Sequence, residues 1–245
     1  QMGYWVDMDA PYVTYHTKYM ESVWWLLAQL HKKGMLYKGY TIQPYSPMAG
    51  TGLSSHELNQ PGTYRDVKDT TIVAQFHATP ESRAALLAQV GLADDGLPVD
   101  FLAWTTTPWT LPSNTALTVG PDIRYAVVKT TNRYTEAAGY VVLAEALVGK
   151  QFGDKKAPAH EVVGTLDGRD LVGMRYEALL DWATPMDQPQ HAFQVIPGDF
   201  VTTEDGTGIV HTAPTFGADD ARVAKDAGVP AMLVDDGTGH GVPLV

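Results

Sequence analysis

The sequence predicts a mixed α/β fold, rich in strands, in which a curled or barrel-like sheet forms the core and a few helices surround it. Seven short apolar or β-branched segments, separated by Gly, Pro, Asp and Asn, follow residue 100. Closing a sheet of short strands removes exposed edges, which favours a curled or closed arrangement. Ahead of the strands lies an aromatic-rich segment with frequent Pro and Gly, which predicts a helical and irregular stalk.

The first predicted element is a helix over residues 18–33, which Gly34 ends. Its apolar residues recur at helical spacing, and they are Val23, Trp24, Leu27 and Leu30. Residues 40–62 are interrupted by Pro, Gly and Ser and predict an irregular connection. We therefore place a stalk or connective segment at 1–68 and a second domain at 69–245.

The second domain is predicted to begin with a buried strand over 70–76, because this segment is β-branched and apolar. Thr79 and Pro80 suit the cap and first turn of a helix that runs over 83–90 and ends at Gly91.

The remainder of the chain is predicted to be mostly strands. The seven candidates are 101–106, 116–119, 125–130, 140–144, 161–166, 191–196 and 208–211. A short helix over 219–227 interrupts them, and the segment after Val229 is expected to form a returning hairpin.

Composition limits the classes of function. The chain has 245 residues, of which 44% are hydrophobic, so it can bury a substantial core. No apolar run approaches the roughly 20 residues of a membrane span, and no signal peptide is evident, so we expect a cytoplasmic protein. Nothing in the sequence suggests more than a monomer. Cysteine is absent, which excludes disulfides and thiolate metal sites, and no cofactor is predicted. The net charge of -11 argues against an autonomous nucleic-acid binder.

Two segments carry candidate chemistry, and the first is residues 104–114, W-T-T-T-P-W-T-L-P-S-N. Thr105, Thr106 and Thr107 stand at a predicted strand end, where side chains alternate between faces. Hydroxyls both donate and accept hydrogen bonds, so they suit a ribose, an ester carbonyl and a water. A β-branched strand followed by ordinary turn residues would explain three threonines alone. It does not explain the full string, which starts at Trp104 and ends at Asn114.

The second segment is residues 206–220, G-T-G-I-V-H-T-A-P-T-F-G-A-D-D. It runs from a glycine turn through a strand to a helix start, so His211 and the two aspartates can face one pocket. Helix capping and the helix dipole explain Asp219 adequately. A histidine near a strand end is more often a packing residue than a catalyst.

Together the two strings resemble the editing-domain signatures of isoleucyl-tRNA synthetases. Related leucyl and valyl enzymes carry T-T-R-P in the first string, whereas this chain continues from Thr107 into Pro108 and Trp109. The resemblance extends through essentially the whole chain, including the segment over 45–54. There Ser46 and Ala49 replace a Cys-x-x-Cys pair of many relatives, so we predict no zinc in the stalk.

The resemblance implies an editing (deacylase) domain over 69–245 that hydrolyses valyl-tRNA bearing the isoleucine acceptor and excludes isoleucine by pocket size. Its partners would be the CCA end of the tRNA and the rest of a parent synthetase. The implied catalytic residues are Thr105, Thr106, Thr107, Asn114, His211 and Asp220. The implied substrate-binding residues are Trp104, Thr107, His211 and Asp220, with Asp220 assigned to the α-ammonium. The H-x-G-H and K-M-S-K-S signatures of ATP-dependent activation do not occur in these 245 residues.

Three alternatives stay open from the sequence. A noncatalytic domain could merely bind an aminoacyl-nucleotide or a protein partner. A metal-dependent hydrolase could use some of the 8 histidines, although no H-E-x-x-H spacing occurs. Within the editing hypothesis, His211 could be the wall that rejects isoleucine or a general base. No G-x-S-x-G elbow or other triad signature indicates a covalent mechanism.

Overall fold

The computed structural model describes residues 3, 5, 7–39, 41–154 and 157–244. The chain divides into two compact units, Gln1–Gln43 and Pro44–Val245. The boundary expected from the sequence, between residues 68 and 69, lies inside the second unit and stays a proposal about domain organisation. Among the described residues, no helix is both long and apolar enough to span a membrane.

The first unit contains one long helix, α1, over Thr17–Lys32, which confirms the predicted helix to within a residue at each end. Gly34 adopts φ +69°, a backbone conformation that glycine reaches without a steric penalty. This turn lets Met35 N–H donate to the carbonyl of Leu30 at 3.0 Å, which satisfies a carbonyl of the last helical turn.

The second unit opens with short elements that the sequence did not indicate. Strands β1 (Tyr45–Ser46) and β2 (Thr51–Gly52) pair in antiparallel fashion. Helix α2 (Ser55–Leu58) follows, and Ser54 and Glu57 form a capping box at its start. The segment predicted to be irregular is therefore partly ordered by local hydrogen bonds.

The main sheet has eight strands within the described residues, in the order β8-β6-β7-β4-β10-β5-β9, with β3 paired to β4 beside this path. The strands are β3 (Ile72–His77), β4 (Val99–Thr105), β5 (Ala116–Val119), β6 (Arg124–Thr131), β7 (Ala138–Ala144), β8 (His160–Asp167), β9 (Gln194–Pro197) and β10 (Ile209–Thr212). Every strand predicted from residue 70 onward is thus present.

One strand boundary was wrong by three residues. The prediction began a strand at His191, but Pro189–His191 forms a 3-10 helix and β9 begins only at Gln194. Phe193 has φ +61°, which lies outside the extended region and delays the strand.

Strand β4 forks the sheet. Its first half pairs in parallel with β7, from Val99 opposite Tyr140 to Phe101 opposite Val142. Its end pairs instead with β10, where Trp104 lies opposite Val210. The change of partner occurs within the strongly curled sheet, and it brings the residues after Trp104 beside the end of β10.

The helices of the second unit cover both faces of the sheet, so β4 is buried on both sides. They are α3 (Pro80–Gln89), α4 (Val148–Phe152), α5 (Gly168–Leu171) and α6 (Ala218–Asp226). As predicted, Thr79 caps α3, its hydroxyl accepting from Ser82 N–H at 3.4 Å. Helix α6 confirms the predicted final helix.

The core has three clusters within the described residues. The largest includes the fully buried Phe76, Leu86, Phe101, Leu117 and Tyr125. A second cluster lies against α4, and a third packs α6 onto Ala116 and Ile196. Strands β11 (Leu233–Asp235) and β12 (Gly241–Pro243) form the expected hairpin after Val229.

Candidate functional site

The two candidate segments meet at one pocket of about 320 Å³. Strand β4 supplies one wall, while β10 and the start of α6 supply the other. The lining residues are Trp104, Thr105, Thr106, Thr107, Trp109, Thr110, Val210, His211, Ala213, Phe216, Gly217 and Asp220. All the site residues expected from the sequence are in this lining except Asn114, which lies behind it and contacts His211.

The threonines form a short row of hydroxyls at the end of β4. Thr105 is buried, and its Oγ1 accepts from Thr107 N–H at 3.0 Å. The Oγ1 of Thr107 lies 3.3 Å from that of Thr105 and 3.5 Å from that of Thr110. Thr106 and Thr107 are exposed, so their hydroxyls can reach a bound molecule and a water. The row offers donors and acceptors without a charged nucleophile.

His211 forms a buried part of the pocket wall, with both ring nitrogens hydrogen-bonded. Its Nε2 lies 3.0 Å from Thr110 Oγ1, and its Nδ1 lies 2.8 Å from Asn114 Nδ2. The Thr110 hydroxyl donates its proton to the Thr107 carbonyl at 2.8 Å, so it accepts from His211 Nε2–H.

Asn114 determines whether the other ring nitrogen of His211, Nδ1, carries a proton. Its Nδ2 donates to the Ala116 carbonyl at 2.8 Å, and its Oδ1 accepts from Tyr176 Oη–H at 2.6 Å. Flipping the amide would place Oδ1 against the Ala116 carbonyl, so Nδ2 faces His211 and Nδ1 must accept. The imidazole is therefore held as the neutral Nε2–H tautomer.

Burial lowers the pKa of His211 to about 4, and this effect outweighs the opposing effect of a hydrogen bond to the Thr110 backbone. The ring is thus neutral at physiological pH, and its one lone pair is occupied by Asn114. A general base needs a free lone pair within reach of the substrate. The geometry therefore favours His211 as a fixed wall over His211 as a base.

Asp220 brings a partly buried carboxylate to the pocket from the first turn of α6. Its Oδ2 accepts from Ala213 N–H at 2.8 Å, which bridges the end of β10 to the helix. Burial raises the pKa of Asp220, and the neighbouring charge of Asp219 raises it further. Asp220 forms no salt bridge with any described residue, whereas Asp219 is exposed and lies 3.4 Å from Arg222. The two aspartates therefore have different surroundings.

Gly217 makes room for this carboxylate. A Cβ at Gly217 would lie 2.7 Å from Cγ of Asp220 and 2.9 Å from both carboxylate oxygens. Any side chain there would collide with Asp220 in its observed position. A larger residue at this position would therefore displace the Asp220 carboxylate from where it lies.

Two hydrogen-bonding residues of the site were missing from the sequence-based candidates. Thr110 lies in the first string, and the 3-10 helix over Pro108–Ser113 places it next to Thr107. Proline at 108 and the i to i+3 spacing of the threonines could have indicated this turn. Tyr176 is 62 residues from Asn114 in sequence, and no motif marks it.

The arrangement of His, Asp and Glu side chains bears on whether the protein can hold a metal ion. Among residues 3, 5, 7–39, 41–154 and 157–244, no group of three or more His, Asp or Glu side chains is arranged to hold a metal ion. The carboxylate and imidazole of the pocket each have the hydrogen-bond partners described above.

Solved structures share this fold at low sequence identity. A structure described as GlLeuRS-CP1 aligns with a TM-score of 0.51 and 20% identity over 71% of this chain and 70% of that chain. The P. knowlesi cytosolic leucyl-tRNA synthetase editing domain aligns with a TM-score of 0.51 and 12% identity over 65% of this chain and 64% of that chain. The curled sheet with few helices is therefore the fold of class I synthetase editing domains.

Sequence comparisons identify the family. Isoleucine–tRNA ligases of Bacteroides thetaiotaomicron, Porphyromonas gingivalis and Clostridium tetani are 56%, 55% and 42% identical to this chain over its whole length. The chain spans only 22%, 22% and 21% of the lengths of these relatives. The family model for class I tRNA synthetases (I, L, M and V) matches residues 1–205. The chain therefore belongs to the class I tRNA synthetases of the isoleucine, leucine, methionine and valine group.

Proposed function

We propose that this chain is an editing hydrolase, which cleaves valine from tRNA bearing the isoleucine acceptor and leaves isoleucyl-tRNA intact. The observation that carries the proposal is the meeting of both signature strings at one pocket of about 320 Å³, with a hydroxyl row, a neutral imidazole and a carboxylate. These groups match the ester, the aliphatic side chain and the ammonium of an aminoacyl end.

The need for a second pocket follows from the size of a methylene. One methylene in a hydrophobic pocket contributes about 1–3 kcal/mol of binding free energy. The standard example of this range is the discrimination between isoleucine and valine by this enzyme family, and we adopt the range from that example. A site that selects isoleucine by binding alone therefore admits valine too often. A smaller second site, with His211 as its wall, would accept the valyl ester and reject the isoleucyl ester on size.

Asp220 is proposed to anchor the α-ammonium of the substrate. Its carboxylate is partly buried and has no cationic partner among the described residues, so a bound ammonium would neutralise it. A pair of this kind, shielded from water, gives a short charge-assisted hydrogen bond and a fixed orientation. With the ammonium held at α6, the aminoacyl ester would lie toward the threonines.

Thr105, Thr106 and Thr107 are proposed to position the ester and a hydrolytic water, with Trp104 as part of the surrounding wall. Water attacks the carbonyl carbon, the bond from that carbon to the ribose oxygen breaks, and the ribose oxygen takes a proton. Valine and a free tRNA end are released. Orientation by several hydroxyls can supply much of the rate without a covalent intermediate.

The role of the rest of a full-length synthetase is also a proposal. The relatives named isoleucine–tRNA ligases are about five times longer than the aligned region, since the chain spans 22% of the first of them. We infer that the rest of such a synthetase ligates isoleucine and holds the tRNA body. The pocket described here would then receive only the CCA end and its amino acid.

A deacylation assay tests the proposal directly. The chain is incubated with isoleucine-accepting tRNA charged either with valine or with isoleucine, and release of each amino acid is measured with and without a chelator. We expect valine release to exceed isoleucine release strongly and to survive the chelator. Binding of valyl-tRNA without turnover would favour the noncatalytic module instead, and loss of activity with the chelator would favour a metal-dependent hydrolase.

A further inference from the structure

A chain of hydrogen bonds connects the protein core to the pocket wall. Tyr176 Oη–H donates to Asn114, Asn114 Nδ2–H donates to His211, and His211 Nε2–H donates to Thr110. Tyr176, Asn114, His211 and Thr110 are all buried, at 2%, 3%, 5% and 4% exposure. Water therefore cannot readily replace a lost member of this chain.

We propose that Tyr176 is a positioning residue for amino-acid selection, because its hydroxyl fixes the Asn114 amide and thereby the ring orientation and tautomer of His211. The proposal rests on the function proposed above, in which His211 is the wall that excludes isoleucine. Tyr176 itself does not line the pocket and acts only through Asn114.

The surroundings of Tyr176 hold its ring firmly. The ring packs edge-to-face against Phe76, with centroids 5.3 Å apart, and against Phe193, with centroids 6.1 Å apart. Such aromatic pairs restrict the ring and leave the hydroxyl pointing in one direction. The Tyr176 hydroxyl, which is the first donor in this series of hydrogen bonds, is therefore pre-organised.

Phe193 ties the backbone of Tyr176 to the segment that carries Asn114. Tyr176 N–H donates to the Phe193 carbonyl at 3.1 Å, and Phe193 N–H donates to the Thr115 carbonyl at 2.7 Å. Phe193 bridges these two segments in a left-handed conformation with φ +61°, which is unfavourable for a bulky residue. Strain of this kind persists only where surrounding contacts enforce it, and it often accompanies functional sites.

Removing the hydroxyl would leave Asn114 Oδ1 buried without a donor. The amide then loses one of the two contacts that oppose its rotation, and only the hydrogen bond to the Ala116 carbonyl remains. An Asn114 turned by half a rotation presents its oxygen to His211 Nδ1. That arrangement favours the opposite tautomer, with a proton on Nδ1 and none on Nε2, and it removes the donor to Thr110. The wall becomes mobile, and isoleucine is excluded less strictly.

The test compares Tyr176→Phe with the matched control Tyr140→Phe. Phenylalanine keeps the ring packing at 176 and deletes only the hydroxyl. Tyr140 is 4% exposed, and its hydroxyl donates to the Asp95 carboxylate at 2.9 Å in a part-buried hydrogen bond. Tyr140 is not in the pocket lining, so its variant controls for the loss of a tyrosine hydroxyl that is hydrogen-bonded elsewhere in the fold. The first readout is the ratio of valine to isoleucine released from charged tRNA.

We expect Tyr176→Phe to lower this ratio about five- to tenfold, the equivalent of one buried hydrogen bond, while Tyr140→Phe leaves it unchanged. An unchanged ratio in Tyr176→Phe, or an equal fall in both variants, would overturn the positioning role. A general loss of stability would lower the amount of folded protein but not the ratio.

The second readout is independent of deacylation and therefore of the proposed function. Nitrogen-15 NMR of the His211 ring reports its tautomer. We expect the Nε2–H form in the wild-type chain and in Tyr140→Phe, and a mixture or exchange in Tyr176→Phe. A wild-type ring with its proton on Nδ1 would refute the proposal even if Tyr176→Phe did not fold, and an unaltered tautomer in the folded variant would do so as well.

Discussion

At the residue scale, Asp220 combines a folding cost with a proposed role in binding. Its pKa is raised, mainly by burial, so the folded state binds a proton more readily than the unfolded state does. The unfavourable contribution of the charged group is fully present above the folded pKa. It diminishes as the pH falls through that value toward the lower unfolded pKa. Substrate ammonium would relieve the same cost at neutral pH.

We predict that Asp220→Asn loses valyl-tRNA deacylation but remains within about 1 kcal/mol of wild-type stability, because Asn keeps an acceptor for Ala213 N–H and removes the buried charge. Deacylation rates and urea unfolding at neutral pH measure the two effects. The control is Asp219→Asn on the same helix turn, where the carboxylate is exposed and activity is expected to persist. Normal deacylation by Asp220→Asn would remove the carboxylate from the mechanism.

His211 supports a prediction about specificity. Replacing it by Ala opens the wall, so we expect His211→Ala to release isoleucine as well as valine from charged tRNA. The initial rates of both reactions give the ratio directly. A variant that stays strict for valine and is merely slower would point to the general-base role.

The pH dependence of stability provides a separate prediction for His211. Its folded pKa of about 4 lies below the ordinary 6.5, so the neutral form is favoured by folding. The stability that depends on the neutral ring is fully present above pH 6.5 and is lost as the pH falls from 6.5 through 4. The complete loss lowers the free energy of unfolding by about 3 kcal/mol. Urea midpoints across this range are expected to fall less steeply in His211→Gln than in wild type. Equal slopes would show that the buried ring does not titrate as described.

At the element scale, the start of α6 is where steric fit matters most. We predict that Gly217→Ala lowers valyl-tRNA deacylation about tenfold or more, because a Cβ there meets the Asp220 carboxylate. The backbone φ at Gly217 is −119°, which any residue adopts, so the effect is steric and not conformational. Gly149→Ala is the control, since a Cβ at that helical glycine meets nothing within 4 Å. Unchanged activity in Gly217→Ala would mean that the carboxylate can move without consequence.

The main-sheet strands and the three longer helices, α1, α3 and α6, were largely predictable because each has a local signal, whereas the short helices α2, α4 and α5 were not predicted. The β-branched segments, the Thr79 and Pro80 cap of α3 and the glycine after α1 all act over a few residues. The 3-10 helix over Pro108–Ser113 was missed, because a strand end followed by two prolines also fits an open turn. The start of β9 was misplaced, because the left-handed conformation of Phe193 depends on hydrogen bonds to Thr115 and Tyr176.

At the scale of the whole molecule, the net charge of -11 bears on how RNA can be recognised. We predict that the chain binds uncharged tRNA weakly and with little dependence on salt, because few basic groups are available to release counterions from phosphates. Filter binding over a range of salt concentrations measures both quantities. A tight complex that weakens steeply with salt would contradict the view that only the CCA end is recognised here.

The sequence by itself determined the strand-rich fold class, the family resemblance and the two strings that line the pocket, because these depend on local propensity and on residue identity. Only the tertiary structure decided which strings meet, since the fork of β4 between β7 and β10 is a long-range pairing. It also decided that His211 is neutral, with both nitrogens occupied, and that Tyr176 stands behind Asn114. Burial and the direction of a hydrogen bond are properties of the surroundings of a side chain, and distant parts of the chain provide those surroundings.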